Sequence, residues 1–169
     1  TATINGVYGL SGKLTVGGGW GVPTLNMGPS NDWTATEILQ SHNSLLKLTN
    51  TAKLTASVIN LQSGTFNLGA SGQRDVVKFN LTGGALTADN AAATLNLTGT
   101  ESTWTAGWLV SGTVNVKSGA VFTWAGGDKG FSSVNLINEG RINWSAGNIQ
   151  ASGSGSITNK SGGLIDLQG

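Results

Sequence analysis

The chain of 169 residues is long enough for one domain with its own apolar core, and its 9 Lys and Arg nearly balance its 8 Asp and Glu. No run of like charge occurs, which argues against a nucleic-acid-binding protein and against a helix on a membrane surface. Cysteine is absent and no apolar run approaches the roughly 18 residues of a membrane span, so disulfide frameworks, thiolate metal sites and a spanning helix are excluded.

The first 47 residues match the later pattern only in part. Residues 11–16 combine a glycine turn with a short strand, and glycine-rich loops follow them. Thr34 and Glu37 have the spacing of a capping box, which would begin a short helix through Leu39. The alternative is a distorted coil with long loops. Residues 1–47 are therefore predicted to form either irregular coils or a cap over the open end of a core.

Across the rest of the chain, an Asn between two apolar residues recurs, and a glycine turn with a second strand often follows it. The alternation is typical of a short strand with its apolar side chains on one face and the Asn on the other. The main series predicts one column of asparagines on an outer face, or an amide ladder between coils. Its members are Asn60, Asn80, Asn96, Asn115 and Asn135.

Three similar segments each begin with a tryptophan and carry a glycine at the fourth position. They begin at Trp104, Trp124 and Trp144, each 20 residues after the one before. A fixed period of this length indicates one coil of a solenoid per segment. Strand alternation puts Trp124 on the same face as Phe122, and Trp144 with Ile142, which favours an inward column of rings in the core. The alternative is an outward ladder of indoles that binds a polysaccharide.

The period of the repeat also predicts the fold. One coil of about 20 residues buries too little apolar surface to offset the ordering of its backbone, which costs about 1–2 kcal/mol per residue, so coils must share a core. The sequence predicts an all-β, right-handed parallel β-helix forming one domain over residues 1–169, with regular coils in residues 48–169. An antiparallel sandwich or barrel is the alternative, since glycine turns also join hairpins. Trp20, Trp33 and Trp108 lie off the period and are predicted to be exposed contact residues.

The last part of the chain has the repeat style of a known class of proteins. Residues 142–149, 153–159 and 162–167 resemble the repeats of bacterial surface proteins with a parallel β-helix fold, such as autotransporter passengers and filamentous-haemagglutinin-like adhesins. The resemblance extends over residues 46–169. It implies a secreted or surface-displayed rod for adhesion or matrix building, and it transfers no functional residues.

No cluster of residues indicates catalysis, a metal ion or a cofactor. The acidic residues of the repeats lie near turns at scattered positions, and we interpret Arg74–Asp75 and Asp128–Lys129 as solvated loop pairs. His42 is the only histidine and is expected to be an exposed loop residue. We therefore expect a protein that is not an enzyme and holds no cofactor.

The expected partners follow from the ends of the solenoid. Such ends expose unpaired strand edges, and residues 164–169 carry no strongly charged cap, so we expect self-association into a filament or a longer rod. Carbohydrate binding or degradation is the alternative function, with glycans or a host surface as partners. Ice binding is a minor alternative, because the Thr-x-Thr segments 34–36 and 103–105 do not recur at the coil period. The 10% content of charged residues and the start at Thr1 favour a mature or excised chain at the cell surface or outside the cell.

Overall fold

The computed structural model describes residues 2–4, 8–17, 24–27, 33–49 and 53–168 of the chain. These residues form 18 strands and no helix, and every described strand pairs with its neighbours in parallel. The strands are β1 (Ala2–Ile4), β2 (Tyr8–Val16), β3 (Thr24–Met27), β4 (Trp33–Gln40), β5 (Leu45–Leu48), β6 (Leu54–Leu61), β7 (Thr65–Asn67), β8 (Gly72–Leu81), β9 (Ala85–Thr87), β10 (Ala93–Leu97), β11 (Ser102–Trp104), β12 (Trp108–Val116), β13 (Val121–Trp124), β14 (Lys129–Asn138), β15 (Arg141–Trp144), β16 (Ile149–Ala151), β17 (Ser156–Asn159) and β18 (Leu164–Leu167).

The register sorts these strands into three stacks around one core, which we call faces 1, 2 and 3. Face 1 contains β1, β3, β5, β7, β9, the first residues of β12 and β14, and β16. Face 2 contains the first halves of β2, β4, β6 and β8, then β10, the second halves of β12 and β14, and β17. Face 3 contains the second halves of β2, β4, β6 and β8, then β11, β13, β15 and β18. The chain passes over the three faces in turn and makes about seven turns of roughly 21 residues.

This parallel pairing confirms the predicted all-β solenoid, and the antiparallel sandwich or barrel is wrong. The helix considered from Thr34 to Leu39 is wrong as well, because Trp33–Gln40 is strand β4 and pairs with both β2 and β6. Burial alternates along this strand, with Trp33 and Ala35 in the core and Thr34 at the surface. The ladder hydrogen bonds offered by a coil on each side outweigh the local preference for a capped helix.

One continuous apolar core runs through the coils from β4 to β15. Each coil contributes large side chains from all three faces, so that neighbouring coils share one interior. A single inward row of face 3 illustrates this packing, because leucine continues there into tryptophan from one coil to the next. In chain order this row contains Leu61, Leu81, Trp104 and Trp124.

The fourth-position glycines lie at the corner between faces 3 and 1. Gly107 and Gly147 have φ angles of +86° and +77°, a conformation that favours glycine. A Cβ atom on Gly147 would lie 2.1 Å from the carbonyl oxygen of Gly127 in the preceding coil. The glycine of the repeat is therefore required both by its backbone conformation and by the close approach of successive coils.

Candidate functional site

Trp104, Trp124 and Trp144 occupy equivalent positions in three successive coils of face 3. The exposed fraction is 0% for Trp104 and 1% for Trp124, and Trp144 is partly buried against the core. The ring centroids of each successive pair lie 5.5 Å apart, with ring planes inclined at 83° and 58°. The rings form an inward column, so the outward ladder that would bind a polysaccharide is wrong at these positions.

The fourth-position glycine accepts a hydrogen bond from the tryptophan that opens its segment. Nε1 of Trp144 donates to the carbonyl oxygen of Gly147 at 2.9 Å. Nε1 of Trp104 donates to the carbonyl oxygen of Gly107 at 3.4 Å. The spacing of tryptophan and glycine in the sequence thus corresponds to a turn that the indole itself closes.

In the middle segment, a buried lysine takes the place of the indole. Nζ of Lys129 donates to the carbonyl oxygens of Gly127 at 2.8 Å and of Ala146 at 2.9 Å. Nε1 of Trp124 is buried without a hydrogen-bond partner. Lys129 therefore joins two stacked corners, and the indole of its own coil loses its acceptor.

The interpretation of Lys129 and Arg74 as solvated loop residues is wrong, because both are 0% exposed. Nη1 of Arg74 donates to the carbonyl oxygens of Ser71 and, at 2.7 Å, of Gly72. Burial lowers the pKa of Arg74 to about 10 and lowers the pKa of Lys129 below its ordinary value. Both cations remain charged at neutral pH and bind backbone carbonyl groups inside the solenoid.

The five strand asparagines do not form one column, contrary to the prediction. Asn60 and Asn80 are neighbours on face 3, where Nδ2 of Asn80 donates to Oδ1 of Asn60 at 2.8 Å. Asn96 and Asn115 are neighbours on face 2. Asn135 also lies on face 2 but is two residues out of register with Asn115. The apolar-Asn-apolar pattern occurs on different faces, so its spacing does not follow one row.

The three tryptophans outside the repeat have different environments. Trp33 is only 3% exposed and lies on an inward row of face 2 beside Leu54, so its prediction as an exposed contact is wrong. Trp108 is 41% exposed on face 1. Trp20 lies outside the described residues. Trp108 is therefore the one of the three that the structure places at the surface.

The acidic side chains pair with cations on separate parts of the solenoid. Asp89 lies 2.8 Å from Nζ of Lys47, and Glu101 lies 2.9 Å from Nζ of Lys78. The hydrogen bonds from these lysines lower the pKa of both carboxyl groups. His42 is exposed in the turn after β4, with a φ angle of +56°. The described part of the chain contains no group of three or more His, Asp or Glu residues that could hold a metal ion.

The coil that ends with β18 leaves the core uncovered on one side. Ile157 and Leu167 continue inward rows of the preceding coil, but their exposed fractions are 42% and 70%. Beside them, an apolar depression opens between Trp144 and Leu167. Among the described residues, β16, β17 and β18 have a strand neighbour only on the side of the preceding coil.

Comparison of the chain with protein-family models, with characterised proteins and with solved structures returned no match. The described residues also contain no helix that is long and apolar enough to cross a membrane. The class of protein is therefore defined by the structure itself, as a repeat protein with an all-parallel β-solenoid fold.

Proposed function

We propose that this protein is a structural or adhesive rod of the cell surface or the extracellular space, and that it assembles end to end. The observation that carries the proposal is the uncovered core at the coil of β16, β17 and β18. There Leu167 is 70% exposed in a row whose preceding members are buried or half-buried tryptophans. Burying a leucine contributes roughly 1.5–3 kcal/mol, so covering this coil is favourable.

A second copy of the chain is the partner that fits this surface. The first coil contains β1 and the first described residues of β2, which pair only with the following coil. The last coil has the opposite free edge, and both edges consist of parallel strands on the same faces. Pairing one end with the other is a head-to-tail contact, which continues into a filament when the rotation does not close. Each copy would add about seven turns of about 4.8 Å, or roughly 34 Å, to the rod.

The composition supports a location outside the cytosol. Charged residues are 10% of the chain, well below the usual quarter of a soluble domain. The resemblance of residues 46–169 to the repeats of bacterial surface proteins points to the same setting. A stiff rod with an uncharged, hydroxyl-rich and amide-rich surface suits adhesion or the building of a matrix.

The proposal is tested by placing a charge on the uncovered coil. Leu167→Lys should leave the fold intact, because the side chain is 70% exposed, and should prevent assembly by burying a charge at the contact. Val77→Lys is the matched control, since Val77 is 53% exposed on the flank of the rod. Sedimentation velocity and negative-stain electron microscopy should show filaments for the wild type and for Val77→Lys, and single rods for Leu167→Lys. Wild-type protein that stays monomeric at high concentration would contradict the proposal.

A further inference from the structure

Trp108 presents an aromatic surface whose orientation is fixed by the sheet below it. It lies at the start of β12 on an outward row of face 1, between Ala85 in the preceding coil and Gly130 in the following coil. Its side chain is 41% exposed, whereas the other exposed large apolar side chains of the described residues are on faces 2 and 3 or at the corner between them. Trp108 therefore stands alone on its face.

The indole of Trp108 lies flat on the backbone of Gly130. A Cβ atom built on Gly130 would lie 1.8 Å from Cδ2 of Trp108, 2.1 Å from Cε3 and 2.3 Å from Cε2. Cδ2 is bonded to three ring atoms and has no free edge in the ring plane, so only the face of the ring can approach Gly130 in this way. One face of the indole covers Gly130, and the opposite face points away from the solenoid.

Small and polar groups surround this platform. Ala85 is the neighbour on one side, and Gln150 follows Gly130 in the same row on the other side. Nε2 of Gln150 lies 3.3 Å from Oδ2 of Asp128, whose Oδ1 accepts hydrogen bonds from the backbone and side-chain nitrogens of Asn148. The backbone hydrogen bond from Asn148 is the main cause that lowers the pKa of Asp128, so its carboxylate is ionised at neutral pH.

We propose that Trp108, held flat by Gly130, is a binding site for one pyranose ring of a neutral polysaccharide. The apolar face of a pyranose can stack on the outward face of the indole, and its hydroxyl groups can donate to Asp128 and bond with Gln150. The isolated position of the ring argues against a protein partner, because protein contacts use aromatic anchors within a larger apolar patch. The negative charge of Asp128 favours neutral sugars over acidic ones. This site is independent of end-to-end assembly, because it lies on a side face.

The site is tested by titrating the protein with cello-, xylo-, manno- and chito-oligosaccharides, using isothermal calorimetry and tryptophan fluorescence. At least one of these sugars should bind, and Trp108→Ala should weaken its binding about tenfold or more, while Trp108→Phe should retain part of the affinity. Absence of binding by every sugar in the series would overturn the proposal. Equal affinity of the wild type and Trp108→Ala would overturn it too.

A pair of glycine variants separates the position of the ring from its presence. Gly130→Ala keeps the indole but displaces it, because the nearest atoms to the added methyl group all belong to the side chain of Trp108. Gly127→Ala is the matched control, since its Cβ would have only the carbonyl oxygen of Thr105 nearby, at 3.9 Å. Gly130→Ala should weaken sugar binding and Gly127→Ala should leave it unchanged, with far-UV circular dichroism confirming the fold of each variant. Unchanged binding in folded Gly130→Ala would show that the flat ring is not the binding surface.

Discussion

Replacement of Lys129 by methionine tests whether a buried charge or the space it fills stabilises the corner between faces 3 and 1. Lys129 is 0% exposed and donates hydrogen bonds to Gly127 and Ala146. Each hydrogen bond from a charged group contributes about 1.5–3 kcal/mol. Against this, removing the ammonium group from the interior recovers a desolvation penalty of several kcal/mol.

The neighbouring indole offsets the remainder of the loss in Lys129→Met. Nε1 of Trp124, now without a partner, can donate to the freed carbonyl oxygen of Gly127, as the equivalent indoles do in the adjacent coils, and contributes about 1 kcal/mol. Ala146 is exposed, so water can bond to its carbonyl group. The free energy of unfolding of Lys129→Met should therefore lie within about 1 kcal/mol of the wild type.

The matched variant Lys129→Ala removes the aliphatic stem as well as the charge. It should be about 2 kcal/mol or more less stable than Lys129→Met, because the lost methylene groups leave a cavity. Urea unfolding followed by far-UV circular dichroism measures both values. The chemical shift of the Trp124 indole proton reports whether the new hydrogen bond forms. If Lys129→Met is as unstable as Lys129→Ala, the charge itself holds the corner and the reasoning fails.

Two further predictions concern the same corner. Burial lowers the pKa of Lys129 in the folded state, so the unfolded state binds more protons as the pH approaches the ordinary value of 10.5. The stability of the wild type relative to Lys129→Met should therefore rise with pH in the range just below 10.5, in urea titrations at a series of pH values; a fall would contradict the assigned direction. Gly147→Ala should destabilise the fold by more than the roughly 1–2 kcal/mol of a left-handed backbone, whereas Gly162→Ala should cost no more than that. Both glycines have positive φ angles, but a Cβ on Gly162 meets nothing within 4 Å, so equal thermal unfolding of the two variants would argue against tight contact between coils.

The period of the tryptophan segments was sufficient to predict the solenoid. A spacing of 20 residues from Trp104 to Trp124 and again to Trp144 corresponds to identical positions in successive coils, because no residue is inserted between these turns. Between Leu81 and Trp104 the same step takes 23 residues, since the corners there are longer. A rare residue at a constant step thus carried the signal, and the helix considered at Thr34 shows how short-range capping rules fail without it.

The surroundings of individual side chains were harder to predict. Arg74 and Lys129 each stand next to an aspartate in the sequence, which suggested a solvated pair, but strand alternation puts Arg74 on the inward side with Val76. The period-two pattern was therefore the better guide at Arg74. The separation of the asparagines had no such signal, because the sequence pattern of a short strand is the same on every face. Only the register reveals that Asn80 and Asn96 lie on different faces.

The division between ends and faces explains how one solenoid can both assemble and bind. Stacking requires every inward row to continue from coil to coil, so a large apolar side chain such as Leu167 remains exposed only where the stack stops. Outward rows have no such requirement, and a large ring there must lie over a residue without a side chain, as Trp108 lies over Gly130. Exposed apolar surface at an end therefore favours another coil, whereas a flat ring on a face favours a flat ligand. The two surfaces can change independently in sequence, because no row of the solenoid contains both.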